Sequence, residues 1–229
     1  CDQATLTQRY TQEAVSFIQA HQEKPFFLYL PHTMPHIPLA ATSSFRGRSK
    51  GGFYGDTIEE LDAGVGQILE ALKRWKLEEK TLVIYTSDNG PWNLKNGHGG
   101  SALPLRGYKF QTYEGGMRVP CIMRWPGVIP EGATCSEIIA SIDLLPTLAG
   151  LAKVDLPHPV QARDIHRRRG PDFSVKTAAG PSHSVRRPNA TRRERTTRGV
   201  QCIKNRGSII VAPGEANVPT EHKIGRAHV

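Results

Sequence analysis

The sequence predicts an α/β protein in which a sheet is covered by helices. Two segments, 5–22 and 56–75, carry apolar residues at the spacing of an amphipathic helix. Three short apolar runs, at 25–31, 81–86 and 119–126, have the length and composition of buried strands. Because helical and strand patterns alternate along the chain, we expect one sheet with helices packed against it.

The first half of this pattern runs from helix to strand to helix. The buried face of the helix at 5–22 is predicted to contain Tyr10, Ala14, Phe17 and Ile18. The strand at 25–31 leads into a long loop rich in Pro, Gly and Ser. Asp56 is the predicted N-cap of the second helix. The apolar face of that helix contains Ile58, Leu61, Val65, Ile68, Leu69 and Leu72.

The second half adds two strands and a helix. The strand at 81–86 is followed by a loop rich in Gly and Asn that reaches to about residue 113. After the strand at 119–126, residues 141–152 predict a turn into a helix with Pro146 in its first turn.

The excess of basic over acidic residues is confined to the last third of the chain. Residues 1–157 hold 15 Lys and Arg against 16 Asp and Glu, whereas residues 158–229 hold 15 against 5. We therefore predict a partial catalytic domain at 1–157 and a basic tail of low order at 158–229. The final six residues, IGRAHV, match a translated sequencing adapter, so the tail is interpreted as frameshifted or otherwise non-native sequence. A disordered basic arm and a folded element are the alternatives.

The remaining bulk features exclude several classes of protein. No apolar run approaches the ~20 residues that span a membrane, and the four cysteines lack metal-ligand spacing. The near-neutral charge of 1–157 argues against a nucleic-acid partner. The chain begins with Cys and shows no basic-then-apolar leader, so we expect a fragment whose cellular location its N-terminus does not reveal.

Polar residues follow two of the predicted strands. His32 and His36 lie in a Pro-rich loop after 25–31, and Asp88 and Asn89 follow 81–86. Open α/β sheets bind ligands beyond the carboxyl ends of their strands, so we expect these clusters to converge with the loop at 90–113 on one rim.

Each of these residues has a functional and an ordinary interpretation. Asp88 and Asn89 offer the hard oxygens that Ca²⁺ or Mg²⁺ prefers, but two ligands are too few, and Asp-Asn-Gly is also a common turn. The histidines can act as acid, base or anion-binding cation, or can be packing or solvated residues. Lys109 can hold an anion as a compact charge, or can be a surface lysine.

Five sequence blocks together closely resemble the sulfatase family. They are LYLPHTMPHIP, a helix containing ELD, TLVIYTSDNGP, GSALPLRGYKFQTYEGGMRVPCIMRWPG and SIDLLPTLAGLA, in that order. The nearest likeness is to the arylsulfatase A and N-acetylgalactosamine-6-sulfatase types, over about residues 5–155. The resemblance implies an alkaline-phosphatase-like sheet flanked by helices, incomplete in this chain.

The resemblance also implies roles for four residues. Asp88 and Asn89 match the ligands of one Ca²⁺, for which Mg²⁺ is possible. His36, in His-x-Pro, matches the residue that contacts the sulfate ester, and Lys109 matches the one that binds the sulfate oxygens. Tyr108 departs from the usual Gly-Gly-Lys of that block. Glu114, Arg118 and Asp143 match recurrent positions taken as structural, and His32 and His98 receive no role.

The nucleophile of the family is missing from this sequence. The resemblance implies a formylglycine made from the Cys or Ser of Cys/Ser-x-Pro/Ala-x-Arg, which is activated to attack sulfur. In CIKNR at 202–206, Lys204 occupies the Pro/Ala position, and Cys1, Cys121 and Cys135 fail the pattern too. The implied parent is a sulfuric ester hydrolase acting on a small sulfate ester or a sulfated glycan, in a lysosomal, secreted or periplasmic setting. The chain alone is expected to be inactive.

Two other functions stay open from the sequence. The first is a phosphatase or phosphodiesterase of the alkaline-phosphatase superfamily, although those commonly have Asp-His where this chain has Asp88-Asn89. The second is a non-catalytic fragment whose basic arm binds polyanions. The sequence does not predict the oligomeric state.

Overall fold

The structure is a computed structural model that describes residues 2–93 and 98–156, together with the backbone of 207–213. A 3₁₀ turn at Gln3–Thr5 leads into α1 (Leu6–Ala20), which is followed by β1 (Leu28–Pro31) and α2 (Gly52–Arg74). Next come β2 (Thr81–Ser87), the short α3 (Glu114–Met117), β3 (Cys121–Arg124) and α4 (Leu144–Leu151). The last described element is β4 (Gly207–Pro213). The predicted α/β class is confirmed.

The four strands form one sheet in the order β1-β4-β2-β3. β4 runs antiparallel to both β1 and β2, so β1 and β2 point in the same direction. Their last residues lie at one edge, since Pro31 pairs with Ser208 and Ser87 pairs with Gly207. The loops that leave β1 and β2 therefore start at the same edge of the sheet, as predicted, with the first residues of β4 between them.

β4 comes from the tail that the sequence analysis predicts to be of low order. Residues 207–213 read GSIIVAP, a run rich in the β-branched residues that strands favour, and this run supplies the strand between β1 and β2. The other residues of the tail lie outside the described part of the chain, so the domain boundary at 157/158 stays a prediction.

Apolar layers cover both faces of β2. Val83 belongs to a core that α1 and α2 complete, whereas Leu82 and Ile84 pack on the other side beneath α4. The first core consists of Ala14, Ile18, Phe26, Leu28, Leu30, Ile68, Leu72 and Val83. Strand residues alternate between faces, so one short strand can anchor helices on both. No helix within the described residues is long and apolar enough to cross a lipid bilayer.

The prediction that Asp56 caps α2 is wrong. α2 begins at Gly52, four residues before Asp56, and the Asp56 carboxylate is buried beneath the preceding loop. It accepts backbone hydrogen bonds from Ser49 (2.8 Å), Gly47 (2.7 Å) and Arg48 (3.0 Å), and these bonds hold the pKa of Asp56 below its usual value.

A second acid of α2 holds the same loop. The buried Glu60 accepts the backbone N–H of Thr42 at 3.0 Å. One turn apart on α2, Asp56 and Glu60 thus fasten the loop between β1 and α2, which carries His36.

Candidate active site

The structure brings two of the predicted site residues into contact. Lys109 Nζ lies 3.2 Å from His36 Nε2, although 73 residues separate them in the chain. The other ring nitrogen, Nδ1, lies 2.7 Å from the carbonyl oxygen of Ile37. Because a carbonyl can only accept, Nδ1 carries the proton, and Nε2 accepts a hydrogen bond from the Lys109 ammonium.

Close backbone contacts place Lys109 beside the end of β2. The Lys109 N–H donates to the carbonyl of Pro91 (2.8 Å), and the Gly90 N–H donates to that of Gly116 (2.9 Å). A Cβ atom on Gly90 would lie 1.9 Å from the Gly115 carbonyl oxygen, so only glycine fits there. The loop that carries Lys109 is therefore docked directly on the Asp-Asn-Gly turn.

The Gly115-Gly116 pair closes this loop on itself. A Cβ atom on Gly115 would lie 2.3 Å from the Gly107 carbonyl oxygen, and one on Gly116 would lie 2.1 Å from that of Gln111. Gly107 itself has a φ of 90°, which few other residues adopt. The glycines of the RGYKFQTYEGG segment thus have a packing role that composition alone does not reveal.

A small cavity adjoins the side chains of His36 and Lys109. Its lining consists of Pro35, His36, Ile37, Trp92, His98, Gly99 and Lys109. His98 has no role assigned from the sequence, and Trp92 is not among the predicted site residues. The ring of His98 rests edge-on against Phe53 of α2, with centroids 6.4 Å apart. The only sequence signal for Trp92 was its place three residues after Asn89.

A second, larger cavity of about 190 Å³ also has His36 and Ile37 in its lining. Its lining consists of Gln3, Thr33, Met34, His36, Ile37 and Pro38. The Thr33 hydroxyl is buried and has no hydrogen-bond partner among the described residues. His36 therefore lines two cavities, and one of them is large enough for several non-hydrogen atoms.

Two aromatic rings lie near the ammonium of Lys109. Its Nζ lies 5.5 Å from the ring centroid of Trp92 and 5.3 Å from that of Phe110. The ring of His36 lies 5.9 Å from that of Trp92. Rings attract cations at such distances, and within the described residues Lys109 forms no ion pair with a carboxylate that would compete with an anionic ligand.

Asp88 and Asn89 follow β2 directly, at the edge where the sequence predicts them. Asp88 is exposed and Asn89 is half-buried, and the Ser87 hydroxyl donates to the Asn89 backbone carbonyl at 3.3 Å. Their oxygens have the hard chemistry of a Ca²⁺ or Mg²⁺ ligand. The described residues contain no group of three or more His, Cys, Asp and Glu that could hold a metal ion, so the pair fits only part of such a site.

The other singled-out residues lie in structural surroundings. His32 is 2% exposed, and its ring meets that of Tyr10 edge-on at 5.8 Å. Burial lowers the pKa of His32 to about 4, so this imidazole is neutral at pH 7. Glu114 pairs with Arg118 on the surface, and buried Asp143 accepts the backbone N–H of Ala140 at 3.0 Å.

Known proteins resemble this chain over the same region. The Sulfatase family model matches residues 3–154. Human steryl-sulfatase is 42% identical over 167 residues, which cover 70% of this chain and 29% of that protein. Human arylsulfatase A is 47% identical over 137 residues, covering 60% and 27%.

Solved structures agree in fold. Ps i-CgsB, determined in complex with a neocarrahexaose, has a TM-score of 0.62 at 34% identity and is matched over 69% of this chain and 37% of that one. A protein from a Bacteroides thetaiotaomicron locus for glycosaminoglycan metabolism has a TM-score of 0.65 at 31% identity, over 72% and 36%.

The chain covers only part of the length of these relatives. It spans less than a third of the length of human steryl-sulfatase and of human arylsulfatase A. The family model, by contrast, covers more than half of the chain and includes both strands that lead to the site. The chain belongs to the sulfatase family.

Proposed function

We propose that the protein hydrolyses sulfate esters, and that this chain supplies the side of the site that holds the sulfuryl group and the departing alcohol. The observation that carries the proposal is the contact between His36 and Lys109 at the wall of one small cavity. Membership of the sulfatase family supports the choice of a sulfate ester over other anionic substrates.

Lys109 is suited to bind the sulfuryl oxygens. An ammonium group has three N–H donors. One points to His36 Nε2 in the structure, which leaves two for an anion. Its Nζ lies 5.5 Å from the ring centroid of Trp92, so this apolar ring displaces water beside the charge, which strengthens the attraction of the charge for an anion.

His36 is suited to act on the ester oxygen. Its Nδ1 proton is engaged by the Ile37 carbonyl, so Nε2 is the ring atom that faces the cavity side. When an anion draws the Lys109 ammonium to itself, Nε2 is free to take up a proton from solvent and to donate it to the departing alcohol oxygen. This is the role of a general acid placed by a fixed hydrogen bond.

The proposal includes two groups beyond these side chains. Asp88 and Asn89 would be two ligands of a divalent cation, Ca²⁺ or Mg²⁺, which when bound neutralises negative charge on the sulfuryl oxygens. A formylglycine supplies the nucleophile in this proposal, and the 229 residues contain no Cys/Ser-x-Pro/Ala-x-Arg from which it could be made. We therefore expect this chain alone to bind anions without turning over an ester.

Anion binding by the chain tests the first half of the proposal. Inorganic sulfate is titrated into the ¹⁵N-labelled chain at low ionic strength while the indole N–H signal of Trp92 is followed by NMR. Losing one charge-assisted contact costs about 1.5–3 kcal/mol, so Lys109→Ala should weaken binding roughly 10- to 100-fold. Lys24→Ala, at an exposed site beyond α1, is the matched control. Equal affinities of Lys109→Ala and the wild type would contradict the proposal.

The type of ester is tested on a longer form of the protein that includes the nucleophile segment. We expect activity on 4-nitrocatechol sulfate to exceed activity on 4-nitrophenyl phosphate. The reverse preference would favour the phosphatase alternative.

A further inference from the structure

Phe110 has an unfavourable backbone conformation and an exposed side chain. Its φ is 75°, in the left-handed region that bulky residues rarely enter. Its side chain is 80% exposed, so burial does not offset the cost of that conformation. Strained residues that packing does not explain cluster at ligand sites, which makes Phe110 a candidate for one.

The local turn explains why the strain falls on this position. The Gln111 N–H donates to the Tyr108 carbonyl at 3.0 Å, which closes a β-turn with Lys109 and Phe110 as its central residues. A positive φ at the second central position is usually met by Gly or Asn. Phe stands there instead, directly after Lys109, so a large ring is held beside the cationic group.

Phe110 extends a line of rings that begins at His36. The Trp92 ring lies 5.9 Å from His36 and 5.8 Å from Phe110, and it meets Phe110 at 87°. Trp92 lines the cavity beside Lys109, whereas Phe110 lies against Trp92 outside that lining. We call these two side chains the aromatic wall. It leads from the proposed sulfuryl site out to solvent.

We propose that the aromatic wall binds the ring of the substrate's alcohol part, which makes Trp92 and Phe110 specificity-determining residues for esters of flat, ring-bearing alcohols. This inference rests on the proposed function. A sulfuryl group held by Lys109 leaves its alcohol part adjacent to the next residue, Phe110. Rings attract one another in edge-to-face and offset geometry, so a flat ring gains contacts there that an acyclic alcohol cannot make.

A competing explanation assigns the two rings to Lys109 alone. Both centroids lie within 6 Å of its Nζ, so the aromatic wall could serve only to hold the ammonium in place. The explanations differ in what they predict for substrates. A holder of Lys109 affects every sulfate equally, whereas a ring-binding wall affects only esters that carry a ring.

The experiment compares three probes on the full 229-residue chain: inorganic sulfate, methyl sulfate and 2-naphthyl sulfate. Dissociation constants are measured from the indole N–H signals of the ¹⁵N-labelled protein. The wild type should bind 2-naphthyl sulfate about 2- to 10-fold more tightly than methyl sulfate. Phe110→Gly should lose this preference and keep its affinity for inorganic sulfate. Phe27→Leu, which removes an exposed ring just before β1, should keep the preference.

Folding of the variant is checked by thermal unfolding. Gly adopts a positive φ without strain, so Phe110→Gly should unfold at a temperature equal to or above that of the wild type. A lost ring preference in such a variant cannot be attributed to misfolding.

Two outcomes would overturn the inference while the proposed function stands. One is equal binding of methyl and 2-naphthyl sulfate by the wild type. The other is a Phe110→Gly variant that retains the preference or weakens all three probes alike. If no probe binds in a Lys109-dependent way, both the inference and the proposed function fail.

Discussion

Acidification should destabilise this protein through one buried histidine. His32 directly follows β1 and lies four residues before His36. It is 2% exposed, and its Nδ1 has no hydrogen-bond partner among the described residues. A charge on this ring would therefore be buried without compensation, which is why the pKa of His32 falls to about 4.

The sign and size of the effect follow from proton linkage. In the unfolded chain the imidazole takes up its proton near pH 6.5, whereas in the folded protein it does so only near pH 4. Between these values the unfolded state binds more protons, so the free energy of unfolding falls as the pH falls. The loss is about 2 kcal/mol on going from pH 7.5 to pH 5, and it approaches about 3 kcal/mol below pH 4.

Urea unfolding at pH 7.5 and at pH 5 measures this loss. His32→Leu keeps a side chain of similar size and removes the titrating group, so its free energy of unfolding should depend on pH by about 2 kcal/mol less than that of the wild type. His21→Gln, at the C-cap of α1, is the matched control for the loss of a histidine elsewhere in the protein. If His32→Leu and the wild type lose the same amount, His32 is not the buried neutral group described here.

The remaining predictions concern the close backbone contact at Gly90 and the strand β4. Gly90→Ala should lower the free energy of unfolding by about 1–3 kcal/mol, because the new methyl group would meet the Gly115 backbone. Gly66→Ala, at an open position of α2, should instead raise it by about 0.5–1 kcal/mol, and urea unfolding that found both changes equal would contradict the contact. Deleting 158–229 removes the strand between β1 and β2, so amide hydrogen exchange in β2 should accelerate; unchanged exchange would mean that β4 does not form.

The sequence was sufficient to identify the polar residues that directly follow buried strands. Two strand ends with polar residues were enough to predict that His36 and the Asp88-Asn89 pair share an edge, because β1 and β2 run in the same direction. The family resemblance implied that His36 and Lys109 serve the same sulfate group, but their direct contact was not predicted. No periodicity or spacing predicts that residues 73 positions apart will meet.

The role of Asp56 and the strand β4 were not predicted from the sequence, each for a physical reason. Asp56 was predicted to be a cap because an acid before an apolar run usually is one, yet its partners are three backbone N–H groups of the preceding loop. The sequence shows that an acid lies near a helix start, but a carboxylate binds whichever donors the tertiary structure brings to it. β4 was not predicted because its apolar run is short and lies in a strongly basic segment. Such a run, with no apolar segment beside it, does not by itself indicate a strand of a sheet.

Three glycines explain how a site whose side chains lie on loops can have a fixed geometry. Gly90, Gly115 and Gly116 allow backbone to touch backbone, so the turn after β2 and the loop that carries Lys109 form one unit fixed by main-chain hydrogen bonds. Main-chain geometry varies less than side-chain rotamers. The backbone of Lys109 is therefore fixed relative to β2, and only the torsion angles of its side chain can change the position of the ammonium. His36 gains the same support from Asp56 and Glu60, which fasten its loop to α2. His36 and Lys109 therefore meet because each of their loops is fastened separately, one to α2 and the other to the turn after β2.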